Sequence, residues 1–154
     1  MSDTHRRNEN FLQVVDKIGP LDMVVHCGDV EGSEYIISEA AGCPVEIVQG
    51  NNDFFSDLPR EKEFMIGQYK VWLTHGHHYY ISMNNEIIKQ EARAREVDII
   101  MCGHTHKPVI DRDGDLTLIN PGSISFPRQE NHRPSYILME IDTEGEAHYT
   151  LNYI

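Results

Sequence analysis

The sequence predicts one mixed α/β domain built in layers, on three observations. Short apolar runs alternate with helix-like segments through the first two-thirds of the chain. The last third is a succession of strand patterns. Polar clusters sit where the apolar runs stop. Strand–helix alternation builds a sheet with helices on its face, and a strand-rich tail adds a second sheet packed on the first, with helices outside.

The elements follow in order. Residues 8–18 place Phe11, Val14, Val15 and Ile18 at i, i+3, i+4 and i+7, an amphipathic helix that Gly19-Pro20 ends. "MVVHC" (23–27) is a buried strand stopped by Gly28-Asp29. A second helix covers Ser33 to Ala41 and closes at Gly42. "PVEIVQ" (44–49) is a strand stopped by "GNND". "EFMIG" and "YKVWLTH" are two strands joined at Gly67-Gln68, with "HGHHYY" as a loop after them. Residues 82–96 have helix composition, with Ser82 as the expected N-cap. "VDIIMC" (97–102) is a buried strand stopped by "GHTH". "PVID" and "LTLIN" flank an Asp113-Gly114 turn, and "SYILMEID" and "AHYTLNYI" flank residues 143–146.

Bulk properties bound the function. A chain of 154 residues is about one domain, here 1–154, and buries a core without staples. No apolar run approaches the roughly 18 residues of a membrane span, and no signal peptide is visible, so we expect the cytoplasm. The net charge of −12 argues against an extended nucleic-acid-binding face. Cys27, Cys43 and Cys102 form no CxxC pair and read as small buried side chains.

The chemistry lies in the clusters that end the apolar runs: "GD" at 28–29, "GNND" at 50–53, "THGHH" at 74–78 and "GHTH" at 103–106. Loops after strand C-termini are where open α/β sheets bind ligands. Gathered on one edge, they deliver Asp29, Asn51, His75, His104 and His106 to one place, and Asp3 and His5 join them if a strand precedes "SDTH". The donors are oxygen and imidazole nitrogen without thiolate, which suits divalent Mn, Fe, Co, Ni or Zn rather than a structural zinc site. Seven candidates are too many for one ion and suit two ions about 3.5–4 Å apart, the arrangement that hydrolyses phosphate esters.

The ordered set D-x-H, GD, GN-x-D, HGH, GHTH resembles the calcineurin-like metallophosphoesterases. "GNND", "THGH", "GHTHKP" and "INPGSISFPR" resemble the small single-domain bacterial and archaeal phosphodiesterase branch, over essentially the whole chain. The resemblance implies a four-layer α/β/β/α sandwich of two mixed sheets flanked by helices. It implies that Asp3, His5 and His106 hold one metal, that Asn51, His75 and His104 hold the other, and that Asp29 bridges them. A hydroxide between the metals is then the nucleophile, and Asp29, Asn51 and His104 are the expected catalytic residues. Two divalent ions are expected, manganese first, with zinc, iron, nickel, cobalt or magnesium as alternatives. A phosphate-ester substrate and a homodimer or larger homo-oligomer complete the expectation.

Many relatives carry a histidine after the Gly-Asn pair, thought to protonate the leaving group; here Asn52 stands there and cannot do so as imidazole can. His77 is the nearest replacement in sequence, though a supporting loop histidine is the plainer reading. Asp53 is expected to orient the Asn51 loop by hydrogen bonds. Arg6, Arg7 and Arg128 could contact a substrate phosphate, but each reads more simply as a solvated arginine. His26, inside an apolar strand, reads as structural. The competing function is a scaffold that keeps the fold without the chemistry, as a relative in the retromer coat resembles; a nuclease of the same superfamily is a third reading.

In the family an apolar strand normally precedes D-x-H, and here it is missing. We expect Met1 to be an internal methionine. Without that strand, Asp3 and His5 are expected on a frayed end, and their metal to be weakly held or lost, leaving an impaired enzyme.

Overall fold

The computed structural model describes residues 1–154. The chain runs α1 (Glu9–Ile18), β1 (Val24–His26), α2 (Glu34–Ala41), β2 (Val45–Ile47), β3 (Glu61–Ile66), β4 (Tyr69–Thr74), a 3-10 turn (His77–Tyr79), α3 (Glu86–Ala94) and β5 (Ile99–Met101). Four further strands follow: β6 (Pro108–Asp113), β7 (Leu116–Pro121), β8 (Ser135–Ile141) and β9 (Ala147–Tyr153).

Three apolar cores separate four layers. Successive strand side chains point to opposite faces, so Val71 and Leu73 of β4 face one way and Trp72 the other. Trp72, Ile100 and Leu118 pack with Ile88 and Ala92 of α3. Val71, Leu73, Ile99, Met101 and Ile119 pack with Cys27, Val48, Ile137 and Met139 between the sheets. Phe11, Val14 and Ile37 of α1 and α2 close over Val24 and Ile47. The result is the expected α/β/β/α sandwich.

One β layer is a continuous five-stranded mixed sheet of order β3-β4-β5-β7-β6. The other consists of two pieces, the parallel pair β1-β2 and the antiparallel pair β8-β9. Between β1, β8 and α1 lies a cavity of about 590 Å³, walled almost wholly by apolar side chains that include Val25, Ile137 and Met139.

The first residues are not frayed, contrary to the sequence expectation. They run alongside β1 and its following loop in parallel register. Cys27 N–H donates to Met1 O (2.9 Å), Asp3 N–H to Gly28 O (3.1 Å) and His5 N–H to Asp29 O (3.0 Å). On the other side Ile124 N–H donates to Ser2 O (3.2 Å) and Ser123 Oγ to Asp3 O (2.8 Å). Ser2, Asp3 and Thr4 are fully buried. The expectation assumed unpaired backbone; paired backbone fixes the segment.

The Ser82 cap is also corrected. Helix α3 starts only at Glu86, with Asn85 in the capping position. Asn84 Oδ1 accepts the Glu86 N–H at 3.0 Å, so the asparagine pair takes over the role assigned to the serine.

Candidate metal centre

Strands β1 and β2 are parallel neighbours, as are β4 and β5 in the other sheet. Their C-terminal ends therefore lie on one edge of the sandwich. Asp29 follows β1, Asn51 follows β2, His75 follows β4, and His104 and His106 follow β5. The 1–5 segment delivers Asp3 and His5 to the same place.

The geometry joins all seven predicted residues. Asp3, His5 and His106 offer ligand atoms that all lie within 4.8 Å of one another, and so do Asp3, Asp29 and His75. His106 Nε2 is 3.1 Å from Asp3 Oδ1, and His5 Nε2 is 3.3 Å from His106 Nε2. Asp29 Oδ2 stands between the groups, 3.7 Å from His5 Nε2 and 3.6 Å from His75 Nε2. Asn51 Oδ1 is 3.0 Å from His75 Nε2 and 2.8 Å from His104 Nδ1.

Tautomers follow from acceptor-only partners. His5 Nδ1 is 2.6 Å from Glu31 Oε1, His106 Nδ1 is 2.6 Å from Phe126 O, and His75 Nδ1 is 2.7 Å from Cys27 O. Each Nδ1 therefore carries a proton, and each ring turns its Nε2 inward. Asp3 Oδ1 is buried with no hydrogen aligned on it. Inward-facing imidazole nitrogens among carboxylate oxygens fit a divalent cation, and a second partner on the far nitrogen is how metal-bound imidazoles are held.

Electrostatics agree. Burial works to raise the Asp3 carboxyl, but its contact with His106 and the neighbouring imidazoles hold it below the usual range. Burial works to lower His106, but the Asp3 carboxylate outweighs it and raises the ring. Burial lowers His104, with His75 adding to the effect.

The backbone bends to make this cluster. Asp3 (φ 57°), His5 (46°), Asp29 (58°), His104 (66°) and His106 (59°) all occupy the left-handed region. Each such residue costs about 1–3 kcal/mol and persists where surrounding contacts impose it. Glycines let the strands approach: a Cβ on Gly50 would strike the Asp29 carboxylate and amide, and one on Gly103 would strike Ser2 Oγ.

Asp53 acts as expected. Its carboxylate accepts the N–H groups of Asp29 (2.8 Å), Gly50 (2.7 Å) and Glu31 (2.6 Å), tying the first two metal loops together. Asn52 turns inward: its backbone N–H donates to Asp29 Oδ1 at 2.8 Å and its amide to Asp29 Oδ2 at 2.6 Å. His77 sits 5.3 Å from the His75 ring and 6.0 Å from that of His104. Burial, with the neighbouring imidazoles, pushes it down to about 4, so at pH 7 the ring is neutral and its remaining N–H makes a poor general acid. Arg6 donates from Nε to Glu31 O at 2.7 Å and is otherwise exposed, and Arg7 lies over the Phe126 ring. His26 is buried and structural, as expected.

Sequence reading missed Glu31, Asn120 and Ser123. Asn120 Nδ2 donates to Gly103 O (2.6 Å) and Thr105 Oγ1 (3.1 Å), fixing the GHTH loop. Ser123 fixes Asp3 from below. The "INPGSIS" stretch marked a turn near the site, but nothing in it marked these contacts; for Glu31, two residues beyond Asp29, no signal exists.

Comparison with known proteins decides the family. A family model described as the calcineurin-like phosphoesterase superfamily domain matches residues 1–144. This chain belongs to that superfamily. It is similar to a probable metallophosphoesterase of Methanocaldococcus jannaschii, 34% identical over 131 residues, covering 83% of this chain and 68% of the relative. A probable metallophosphoesterase of Bacillus subtilis is 32% identical, over 94% of this chain and 84% of its own length. Among solved structures, a Streptococcus pneumoniae protein titled a predicted phosphoesterase has a TM-score of 0.80 at 29% identity, covering 100% of this chain and 95% of that one. Vps29 of Entamoeba histolytica, in a structure complexed with zinc, has a TM-score of 0.76 at 26% identity, covering 93% of this chain and 87% of that one. Membership makes the chain a metal-dependent phosphoesterase by family, with divalent ions as its cofactors.

Proposed function

We propose that the chain is a phosphodiesterase working at a dinuclear centre, with manganese as the first choice of ion and zinc, iron, nickel, cobalt or magnesium as alternatives. Asp3, His5 and His106 hold one ion; Asn51, His75 and His104 hold the other; Asp29 stands between. The observation that carries this reading is the convergence of the Nε2 atoms of His5, His106 and His75 on the carboxylates of Asp3 and Asp29. When bound, the ions supply Lewis acidity, a water of lowered pKa and neutralisation of phosphoryl charge.

The chain's own residues do the rest. Asn52 pins both oxygens of Asp29, so the central carboxylate is held before substrate arrives. Neither Asn52 nor His77 is a good general acid at pH 7, so esters with good leaving groups, such as aryl phosphodiesters, are the favoured substrates. The acidic surface fits a compact phosphate ester better than a long nucleic acid. A homodimer or larger assembly belongs to the same proposal.

A second reading, a non-catalytic scaffold, draws on the likeness to Vps29. Retention of a nitrogen or oxygen donor at all seven positions favours the enzyme. Turnover of bis(p-nitrophenyl) phosphate with Mn²⁺, abolished by Asp29→Asn, supports the enzyme. No turnover with any divalent metal supports the scaffold.

A further inference from the structure

Against the GHTH loop, lined by none of the seven candidate ligands themselves, lies a second cavity, of about 360 Å³. It is at the lower end of small-molecule sites, roughly 300–1,000 Å³. Its polar wall consists of Ser82, Asn85, Thr105, Lys107, Asn120 and Arg128. Not one lining residue is acidic, although the chain has 25 Asp and Glu against 13 Lys and Arg.

The two cations in this wall differ from most of the chain's others, and share their lack of a partner with Lys17 and Arg60 alone. Most of its basic side chains are engaged: Lys62 with Glu46, Lys70 with Glu63, Lys89 with Asp111, Arg93 with Asp113, Arg95 with Glu61 and Glu91, Arg6 with Glu31. Arg7, Arg112 and Arg133 cover aromatic rings. Lys107 and Arg128 reach no carboxylate and no ring, and they face one cavity.

The cavity abuts the metal ligands through covalent and hydrogen-bonded links. Thr105 and Lys107 flank His106 in the chain, and Arg128 N–H donates to His106 O at 3.0 Å. Thr105 is itself fixed, accepting from Asn120 Nδ2 at 3.1 Å and from Lys107 N–H at 3.2 Å. A cavity lined by two cations without carboxylate partners, with the Ser82 hydroxyl and Asn85 amide as further donors, is a site for an oxyanion.

We propose that this cavity is an anion subsite that binds a second phosphate on the substrate, so that the preferred substrate is a phosphodiester bearing a further phosphate near the scissile one. This rests on the phosphodiesterase reading for its use in catalysis, but the binding itself does not. Lys107 and Arg128 supply charge, while Ser82 and Asn85 supply further donors from the same lining.

Two substrates differing by one group make the test: the p-nitrophenyl ester of thymidine 5′-phosphate, with and without a 3′-phosphate. In the unaltered protein the 3′-phosphate raises kcat/KM about tenfold or more, the scale of one good ionic contact, and added salt shrinks the gain. In the Lys107→Gln/Arg128→Gln double variant the ratio falls toward one. An unchanged ratio overturns the proposal, as does a 3′-phosphate that gives no gain in the unaltered protein. If no substrate turns over, the phosphodiesterase reading has failed, and binding still decides the subsite. Pyrophosphate titrated into metal-free protein shifts the amide resonances of residues 82–85 and 105–107, and the double variant abolishes the shifts. Absence of those shifts in the unaltered protein refutes the subsite.

Discussion

His5 and His106 bring their Nε2 atoms to 3.3 Å, while Glu31 and Phe126 O hold the protons on the opposite nitrogens. The Asp3 Oδ1 beside them is buried with no aligned hydrogen. A divalent cation would be held by these three atoms together. Loading the stripped protein with Mn²⁺ or Zn²⁺ should therefore stabilise it by about 2.7 kcal/mol at 100 times Kd, or roughly 5–10 °C in Tm. Thermal melts with and without EDTA measure this; coincident melts would count against a metal at this pair.

Glu31 matters through His5. Its carboxylate orients the ring and keeps the proton on Nδ1. Glu31→Gln should lower metal affinity or activity by about 10–100-fold while the circular dichroism stays unchanged. Full activity with normal affinity would show that the contact is incidental.

His26 gives the fold an acid sensitivity just beneath the metal loops. It is fully buried, accepts the Gly28 N–H at Nδ1 (3.2 Å) and faces Thr4 Oγ1 with Nε2 (3.2 Å). Burial, with the nearby N-terminal amine, pushes it down from 6.5 to about 3. A group with a depressed folded value contributes stability that is complete above its unfolded value and lost as pH falls. Stability should thus decline from about pH 6.5 toward pH 3, by up to ~1.4 kcal/mol per pH unit from this residue. Urea unfolding of metal-free protein at pH 7, 6 and 5 should show the decline, and His26→Gln should flatten it. Equal slopes in the two proteins would remove His26 as the cause.

The cavity between β1 and β8 predicts the effect of an added strand. Residues 1–5 already run parallel to the β1 edge, and the track upstream of Met1 leads along apolar walls. Six valine- and isoleucine-rich residues placed before Met1 should pair along β1 and bury there. Burial of each such side chain is worth about 1.5–3 kcal/mol, against 1–2 kcal/mol per residue of ordering. A net gain of about 2 kcal/mol raises Tm by roughly 4–8 °C. A Gly-Ser extension of equal length is the control, and equal melting of the two would contradict the prediction.

The site was legible because the loops at Asp29, Asn51 and His104 each read as an apolar run, a glycine, then oxygen or imidazole donors, and His75 ends an apolar run just before its glycine. Strand ends shrank relative to expectation, as with residues 97–102 becoming Ile99–Met101, where Val97 N–H still bonds back to Ala92 O of the preceding helix. What stayed hidden acts across long sequence separations. Glu31 lies 26 residues from His5, and Ser123 lies 120 residues from Asp3. Such contacts follow from tertiary placement and leave no local pattern. The frayed end was misjudged for the same reason: its partners, Gly28, Asp29 and Ile124, are distant in sequence.

The most direct test of the dinuclear reading is a metal titration of the stripped protein, with bound metal and bis(p-nitrophenyl) phosphate turnover followed together. The account predicts no turnover without metal and activity that saturates at two ions per chain, with Asp29→Asn losing both. Saturation at a single ion, or binding of metal without turnover under any divalent ion, would contradict it.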